Sequence, residues 1–123
     1  MHMAGTLTTH VLDLAHGIPA AAMGVELWQL GASEAERTLL TTTRTNEDGR
    51  IEMPLLDSEN IAVGVYELVF DVGGYFTALE PQQENSPPFL GHVPVRFGIA
   101  DPHAHYHVPL LVSPWAYSTY RGS

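Results

Sequence analysis

Histidines at alternate positions are the first candidates for chemistry in this chain. His105 and His107 stand on either side of Tyr106 in a β-prone run near the C-terminus. In a strand, side chains two residues apart point to the same face, about 6.6 Å apart. Val108 and Leu110 make the opposite face apolar, so we expect that face to be buried and the histidines to face solvent, a cleft or another subunit. A histidine titrates near neutral pH and can move protons to and from a reactant.

A third histidine raises the alternative of a metal centre. His103, His105 and His107 form an H-x-H-x-H run that could offer three nitrogens to zinc. Pro102 predicts a turn at His103, however, and nothing in the sequence fixes a fourth ligand. We therefore expect a site without a metal or any other cofactor.

His10 and Arg50 are further candidates. His10 lies in a run rich in threonine, valine and leucine, where it shares a face with Thr8. Arg50 directly follows Asp48-Gly49, which is a tight-turn signal because glycine tolerates positive φ. A guanidinium can hold a carbonyl or an oxyanion, but most exposed arginines pair with nearby acids. Position alone favours that surface role for Arg50.

The composition excludes several kinds of chemistry. The chain has no cysteine and no lysine, which rules out a thiol nucleophile, a disulfide and a lysine Schiff base. Its 14 acidic and 5 basic residues give a net charge of −9, which disfavours nucleic acid and anionic membranes as partners. The usual nucleophile elbow, P-loop and dinucleotide fingerprint are missing. Without a long apolar run or an N-terminal signal, we expect a soluble, cytoplasmic protein.

The spacing of β-prone runs and turn residues predicts an all-β protein. The 123 residues suffice for one domain, and short apolar runs separated by Gly, Pro, Asp and Asn are typical of an antiparallel sandwich. About eight strands are expected, at residues 6–14, 24–30, 38–45, 50–55, 64–72, 92–99, 105–112 and 115–121. One short helix is expected at 74–79, and a proline-rich loop at 80–88.

The C-terminal residues 113–123 are aromatic and β-prone almost to the end. Chain ends usually fray unless something ties them down. We therefore expect this tail to be packed, with another subunit as a candidate partner.

Several segments together resemble the transthyretin-related proteins. They are LTTHVLD at 7–13 with the following G-x-P-A at 17–20, TNEDGR at 45–50, the strand and helix residues of 66–76, HYHVPLL at 105–111, and YSTYRGS at 117–123. The histidines and the terminal Tyr-Arg-Gly-Ser resemble the hydrolase branch, because hormone-carrying transthyretins lack both. The resemblance covers residues 5–123 as one transthyretin-like hydrolase domain. It leaves residues 1–4 as an N-terminal extension that could be a cloning remnant.

The resemblance implies a transthyretin-like, or prealbumin-like, β-sandwich of two four-stranded sheets with one short helix. It also implies a homotetramer, built as a dimer of dimers, with active sites in a channel between the dimers. The implied activity is hydrolysis of 5-hydroxyisourate, the unstable product of urate oxidation. The product of that reaction is 2-oxo-4-hydroxy-4-carboxy-5-ureidoimidazoline.

The resemblance also assigns residues to the site. The catalytic set would be His10, Arg50, His107 and Ser123, and the surrounding substrate-binding set would be His105, Tyr120 and Arg121. Our hypothesis is that His107 takes the proton of the attacking water with His10 as its partner, although either histidine could be the base. Arg50 would stabilise the developing charge. Ser123 would position substrate or water with its hydroxyl or the terminal carboxylate.

Two other functions stay open at this point. One is a carrier that binds an aromatic ligand without converting it, and the other is a structural or interaction module, since a fold does not fix a function. The polar histidines and the arginine argue against an apolar hormone site.

Overall fold

The computed structural model describes residues 5–33, 35–81 and 86–123. These residues contain eight strands and one helix. In chain order they are β1 (Thr6–Asp13), β2 (Ile18–Pro19), β3 (Gly24–Leu30), β4 (Arg37–Arg44), β5 (Gly64–Asp71), α1 (Val72–Leu79), β6 (His92–Ile99), β7 (His105–Val112) and β8 (Tyr117–Thr119). The predicted N-terminal extension at 1–4 and residues 82–85 of the predicted loop lie outside the described residues.

The strands form two four-stranded sheets, in the orders β2-β1-β7-β8 and β4-β3-β5-β6. β1 and β7 lie side by side in parallel, in register from Thr6 opposite His105 to Asp13 opposite Val112. The other paired strands are antiparallel. Two four-stranded sheets with one short helix confirm the predicted fold class.

Alternation of buried and outward-facing residues fixes the side chains of β1 and β7. Every second residue of β1 is buried, including Leu7 and Val11, and Leu110 of β7 enters the same core. A fully buried leucine or valine side chain stabilises the fold by about 2 kcal/mol relative to exposure. The strands are therefore firmly anchored on their inner side. Their outer side carries His10 and His107, as the alternation in the sequence predicted.

The predicted strand at 50–55 is wrong. Its strand-like pairing within the described residues is limited to isolated bridges to β1, between Arg50 and His10 and, just beyond the segment, between Leu56 and Leu7. Arg50 and Leu56 are six residues apart but their two partners are only three apart, so the chain between them must leave the edge. A continuous ladder cannot form under that mismatch. The eighth strand is instead β2, where no strand was predicted.

The predicted helix forms as α1 and begins two residues earlier than expected, at Val72. Asp71 caps its N-terminus, because the Asp71 Oδ1 accepts from the N–H of Gly74 at 3.0 Å. Tyr75 and Phe76 place their side chains in the core. Within the described ranges, no helix has the length and apolar character to cross a membrane.

The predicted packing of the C-terminal tail is confirmed on the chain's own subunit. β8 pairs with β7, with Leu110 opposite Thr119 and Val112 opposite Tyr117. Beyond β8, the N–H of Gly122 donates to the main-chain oxygen of His107 at 2.7 Å. The last residues are thereby held along β7, beside its histidines.

Candidate active site

His105 and His107 project from the outer face of β7, as predicted. Their rings are nearly parallel, at 11°, with 6.2 Å between centroids. Tyr106 and Val108 point inward and are only 6% and 7% exposed. His107 is half-buried whereas His105 is exposed, so His107 is the better shielded of the two.

His10 lies on the neighbouring strand β1 and on the same outer face. In the parallel register, Thr8 lies beside His107. His10 lies beside Pro109, two residues further along both strands. The Nε2–H of His10 donates to the main-chain oxygen of Asp48 at 2.8 Å. Since a carbonyl can only accept, this contact keeps a proton on Nε2. It leaves Nδ1 as the accepting atom of neutral His10.

A tight turn brings Arg50 to His10. The side-chain oxygen of Asn46 accepts from the N–H of Asp48 at 2.9 Å and from that of Arg50 at 3.1 Å. Gly49 has a φ of +77°, and a Cβ there would lie 2.4 Å from a main-chain oxygen of β1. Only glycine fits this turn. Its geometry sets the backbone of Arg50 in a bridge with His10.

The guanidinium of Arg50 is exposed and pairs with no acid among the described residues. The surface ion pair that position alone favoured is therefore not formed within the described part of the chain. The planar fork of the guanidinium is available to a carbonyl or an oxyanion.

The surroundings of His107 favour its neutral form. Burial lowers the pKa of His107 below the usual 6.5, and the positive charge of Arg50 lowers it further, as do His105 and His10. A neutral imidazole at pH 7 can accept a proton from water. Arg50 and His10, which lie far from His107 in the sequence, therefore both lower the pKa of its imidazole.

Thr8 belongs to this site through its contact with His107, although sequence reasoning did not single it out, and Thr6 makes the matching contact with the exposed His105. The Oγ1 of Thr8 lies 2.8 Å from Nδ1 of His107, and the Oγ1 of Thr6 contacts Nδ1 of His105. The available signal was the placement of both threonines on the same face as His10. This placement becomes informative only when it is known that β7 pairs with β1.

Gly122 lies against the ring of His107. A Cβ at position 122 would lie 2.5 Å from Cδ2 of that ring, so the approach requires a residue without a side chain. Ser123 follows directly and is exposed. The chain end thus stands next to the half-buried histidine.

Tyr120 and Arg121 differ in how firmly they are held. Tyr120 is 60% exposed. The guanidinium of Arg121 lies 4.2 Å from the ring centroid of Tyr106 and donates to the main-chain oxygen of His105 at 3.4 Å. Arg121 therefore ties the tail to β7 through a cation–π contact.

The described residues contain no group of three or more histidine, aspartate or glutamate side chains arranged to hold a metal ion. His103 lies in a turn that precedes β7, as Pro102 predicted. The absence of a metal from the reaction stays a prediction, which removal of metal by a chelator can test.

Comparison with known proteins places this geometry in a family. Residues 7–122 match the HIUase/Transthyretin family. The chain belongs to that family. The matched range contains the whole cluster of His10, Arg50 and His107, so every residue of the cluster lies in the family domain.

Two curated relatives of this HIUase/Transthyretin family member cover nearly its full length. The 5-hydroxyisourate hydrolase of Pseudomonas aeruginosa is 51% identical over 97% of this chain and 92% of its own. The 5-hydroxyisourate hydrolase of Halalkalibacterium halodurans is 53% identical over 98% of this chain and 100% of its own.

Solved structures confirm that the sandwich is transthyretin-like. Transthyretin from Sparus aurata matches with a TM-score of 0.81 at 30% identity, over 95% of this chain and 96% of its own. A crystal structure of (S)-allantoin synthase matches with a TM-score of 0.87 at 46% identity and covers 99% of this chain. This chain spans only 45% of that synthase.

Proposed function

We propose that this chain hydrolyses 5-hydroxyisourate, with His107 as the general base. The two relatives described above carry that activity in their names and align along almost the entire chain. The observation that carries the assignment of the base is the environment of His107. It is half-buried, its pKa is lowered, and it shares one face with His10 and Arg50.

The proposed reaction opens the six-membered ring of the substrate. Water attacks an amide carbonyl of that ring and the ring C–N bond breaks. The carbonyl carbon becomes the carboxylate of the single product, 2-oxo-4-hydroxy-4-carboxy-5-ureidoimidazoline, and the departing nitrogen receives the proton taken from the water. His107 takes the proton from the attacking water through Nε2, because its Nδ1 is already engaged by Thr8. General base catalysis of this kind contributes about 100-fold to 10,000-fold to a rate.

His10 and Arg50 have complementary roles in this proposal. Arg50 binds the urate-like carbonyl edge and stabilises the negative charge that develops on the attacked oxygen. His10 orients substrate or water through Nδ1, since its Nε2–H is held by the carbonyl of Asp48.

The C-terminal tail closes the proposed site. Ser123 positions substrate or water with its hydroxyl or with the terminal carboxylate, and Gly122 brings it next to His107. His105 and Tyr120 contact the substrate from the exposed side. Arg121 contributes by holding the tail on β7, because its guanidinium is engaged with Tyr106.

We further propose that the site is completed in a homotetramer, a dimer of dimers whose channel is lined by the outer face of β1 and β7. In a single subunit this face is open, and His105 and Arg50 are exposed. Leu14, which directly follows β1, is 57% exposed.

Sedimentation velocity of the wild type and of Leu14→Asp tests this assembly. We expect a tetramer for the wild type and smaller species for the variant, with a matching loss of hydrolysis. A fully active wild-type monomer would contradict the shared channel. The cytoplasmic location expected from the sequence stays a prediction.

The test of function uses 5-hydroxyisourate generated in place from urate and urate oxidase, with its ultraviolet decay followed over time. We expect the wild type to accelerate the decay, with or without EDTA. Arg50→Ala should abolish most of the acceleration, whereas Arg44→Ala, an exposed arginine on the other sheet, should retain it. No acceleration by the folded wild type, together with tight binding of an iodinated aromatic compound, would favour a transthyretin-like carrier instead.

A further inference from the structure

Two threonine–histidine pairs span the parallel strands β1 and β7. The register sets Thr6 beside His105 and Thr8 beside His107. In each pair the threonine Oγ1 meets Nδ1 of the histidine, at 2.8 Å for Thr8 and His107. The two rings are parallel within 11°. The same contact therefore sets the same ring orientation twice.

The two pairs differ in their access to water. His105 is exposed, so water can replace the hydroxyl of Thr6 as its partner. His107 is half-buried and Gly122 lies against its ring. The Thr8 hydroxyl is the side-chain partner that the described residues supply to Nδ1 of His107. Its loss would leave this shielded nitrogen without a partner of fixed position.

The protonation of Nδ1 decides what Nε2 can do. A neutral imidazole carries one proton, so Nε2 has a free lone pair only when the proton is on Nδ1. A hydroxyl can accept a hydrogen bond from Nδ1–H both in this neutral form and in the imidazolium that forms when Nε2 takes a proton. An accepting threonine therefore suits both states of a base that works through Nε2.

We propose that Thr8 is a positioning residue that holds the proton of neutral His107 on Nδ1 and so exposes the lone pair of Nε2 to the attacking water. This inference rests on the proposed function, in which His107 is the base. Thr8 contacts no reacting atom and acts through His107. Its partner on the same strand, Thr6, has the same contact with a histidine to which no proton transfer is assigned.

Three variants separate this role from a structural one. Thr8→Val keeps the β-branched shape and removes the hydroxyl, Thr8→Ser restores a hydroxyl, and Thr6→Val makes the matched change at the exposed pair. We expect Thr8→Val to lower kcat about tenfold to a hundredfold, a fraction of what a general base contributes, with little change in KM. Thr8→Ser should recover kcat to within about threefold and Thr6→Val should keep it within about twofold. Wild-type kcat in Thr8→Val, or an equal loss in Thr6→Val, would overturn the proposal.

The pH profile and the tautomer give independent readouts. Loss of the acceptor at Nδ1 destabilises the imidazolium, so the acid limb of kcat/KM in Thr8→Val should move to lower pH. Other charged groups that face His107 are His10, Arg50 and His105, and they are unchanged in this variant. An unshifted limb would count against the proposal.

The ¹⁵N shifts of His107 report its tautomer whether or not the protein is active, with the signal assigned by comparison with His107→Gln. We expect Nδ1–H in the wild type and a mixture in Thr8→Val. A wild-type Nε2–H tautomer would overturn the proposal. A wild type with the expected tautomer but no hydrolysis would instead contradict the proposed function.

Discussion

His107 on β7 and His16 in the turn after the neighbouring strand β1 have opposite electrostatic surroundings. His107 faces Arg50 and other histidines, and burial together with these groups lowers its pKa. His16, in the turn after β1, contacts Glu80 and Asp13 at 2.7 Å each. Its hydrogen bonds to Glu80 and then to Asp13 raise the pKa of His16 above 6.5.

The acidic groups around His16 belong to a network of hydrogen bonds that stabilises the fold. Asp13 is 1% exposed and its carboxylate accepts from two main-chain N–H groups, from the hydroxyl of Tyr75 at 2.8 Å and from His16. The His16 ring also stacks on Phe76, with 6.2 Å between centroids. The contacts with Tyr75, Phe76 and Glu80 join the turn after β1 to α1 and its C-terminal end. We infer that His16, which contacts two carboxylates, stabilises the fold. His107, whose neutral form is favoured by burial and by neighbouring positive charge, takes part in the chemistry.

Removing each histidine should have opposite consequences. We expect His107→Ala to lower the acceleration of 5-hydroxyisourate decay by at least about 100-fold, because the general base is lost, and to change the free energy of unfolding little. His16→Ala should keep the rate within about twofold, since the residue lies outside the proposed site. Ultraviolet decay and urea unfolding of both variants measure these quantities. Near wild-type turnover in His107→Ala would break the comparison.

Asp13→Ala should produce the largest loss of stability. The buried hydroxyl of Tyr75 and the two N–H groups would lose their acceptor, at a cost of about 3 kcal/mol in the free energy of unfolding. Glu47→Ala, at an exposed acid, should change it by less than about 0.5 kcal/mol. Chemical denaturation measures both. Equal effects in the two variants would show that the acidic cluster does not stabilise the fold.

Gly122→Ala should affect rate without affecting the fold. The added methyl group would push the ring of His107 by its Cδ2 and misalign Nε2, for which we expect a loss in kcat of about tenfold. Gly98→Ala provides the control, because a Cβ at that position meets nothing within 4 Å. A kcat for Gly122→Ala equal to that of Gly98→Ala would mean that the tail does not set the ring position.

The pH dependence of stability should show both histidines with opposite signs. Because the pKa of folded His16 is raised, its contribution is present in full below pH 6.5 and is lost as the pH rises through the folded pKa. Because the pKa of folded His107 is lowered, its contribution is present above pH 6.5 and is lost as the pH falls through the folded pKa.

Denaturation of His16→Gln and His107→Gln across pH 5 to 9 would separate the two contributions. Each variant should lose one side of the dependence. The same slope above pH 6.5 in His16→Gln and in the wild type would contradict the assignment of the alkaline side to His16.

Local patterns were sufficient to predict most of the fold. Alternation in β1 and β7 gave their bounds closely and the burial of their inner faces correctly, because burial in a strand depends on neighbours two residues away. The segment at 50–55 was mispredicted because its pairing depends on the distance between Leu7 and His10 on another strand. The residues of the segment contain no information about that distance.

The site was less accessible to sequence reasoning. Residue types suggested His107 and His10 separately, but position alone assigned Arg50 to the surface, and the resemblance to a family was needed to bring the three together. Thr8 acquires its role only through the parallel pairing of β1 with β7. The His16 cluster likewise joins Asp13 to Tyr75, 62 residues further along the chain.

The pH dependence of kcat/KM for 5-hydroxyisourate tests the central claim most directly, with the uncatalysed decay subtracted at each pH. This profile reports the ionisation of essential groups in the free enzyme. A neutral base among cations predicts an acid limb with its midpoint below 6.5, the direction in which the pKa of His107 is shifted. A midpoint above 6.5, or a rate that does not fall in acid, would contradict the assignment of His107 as the base.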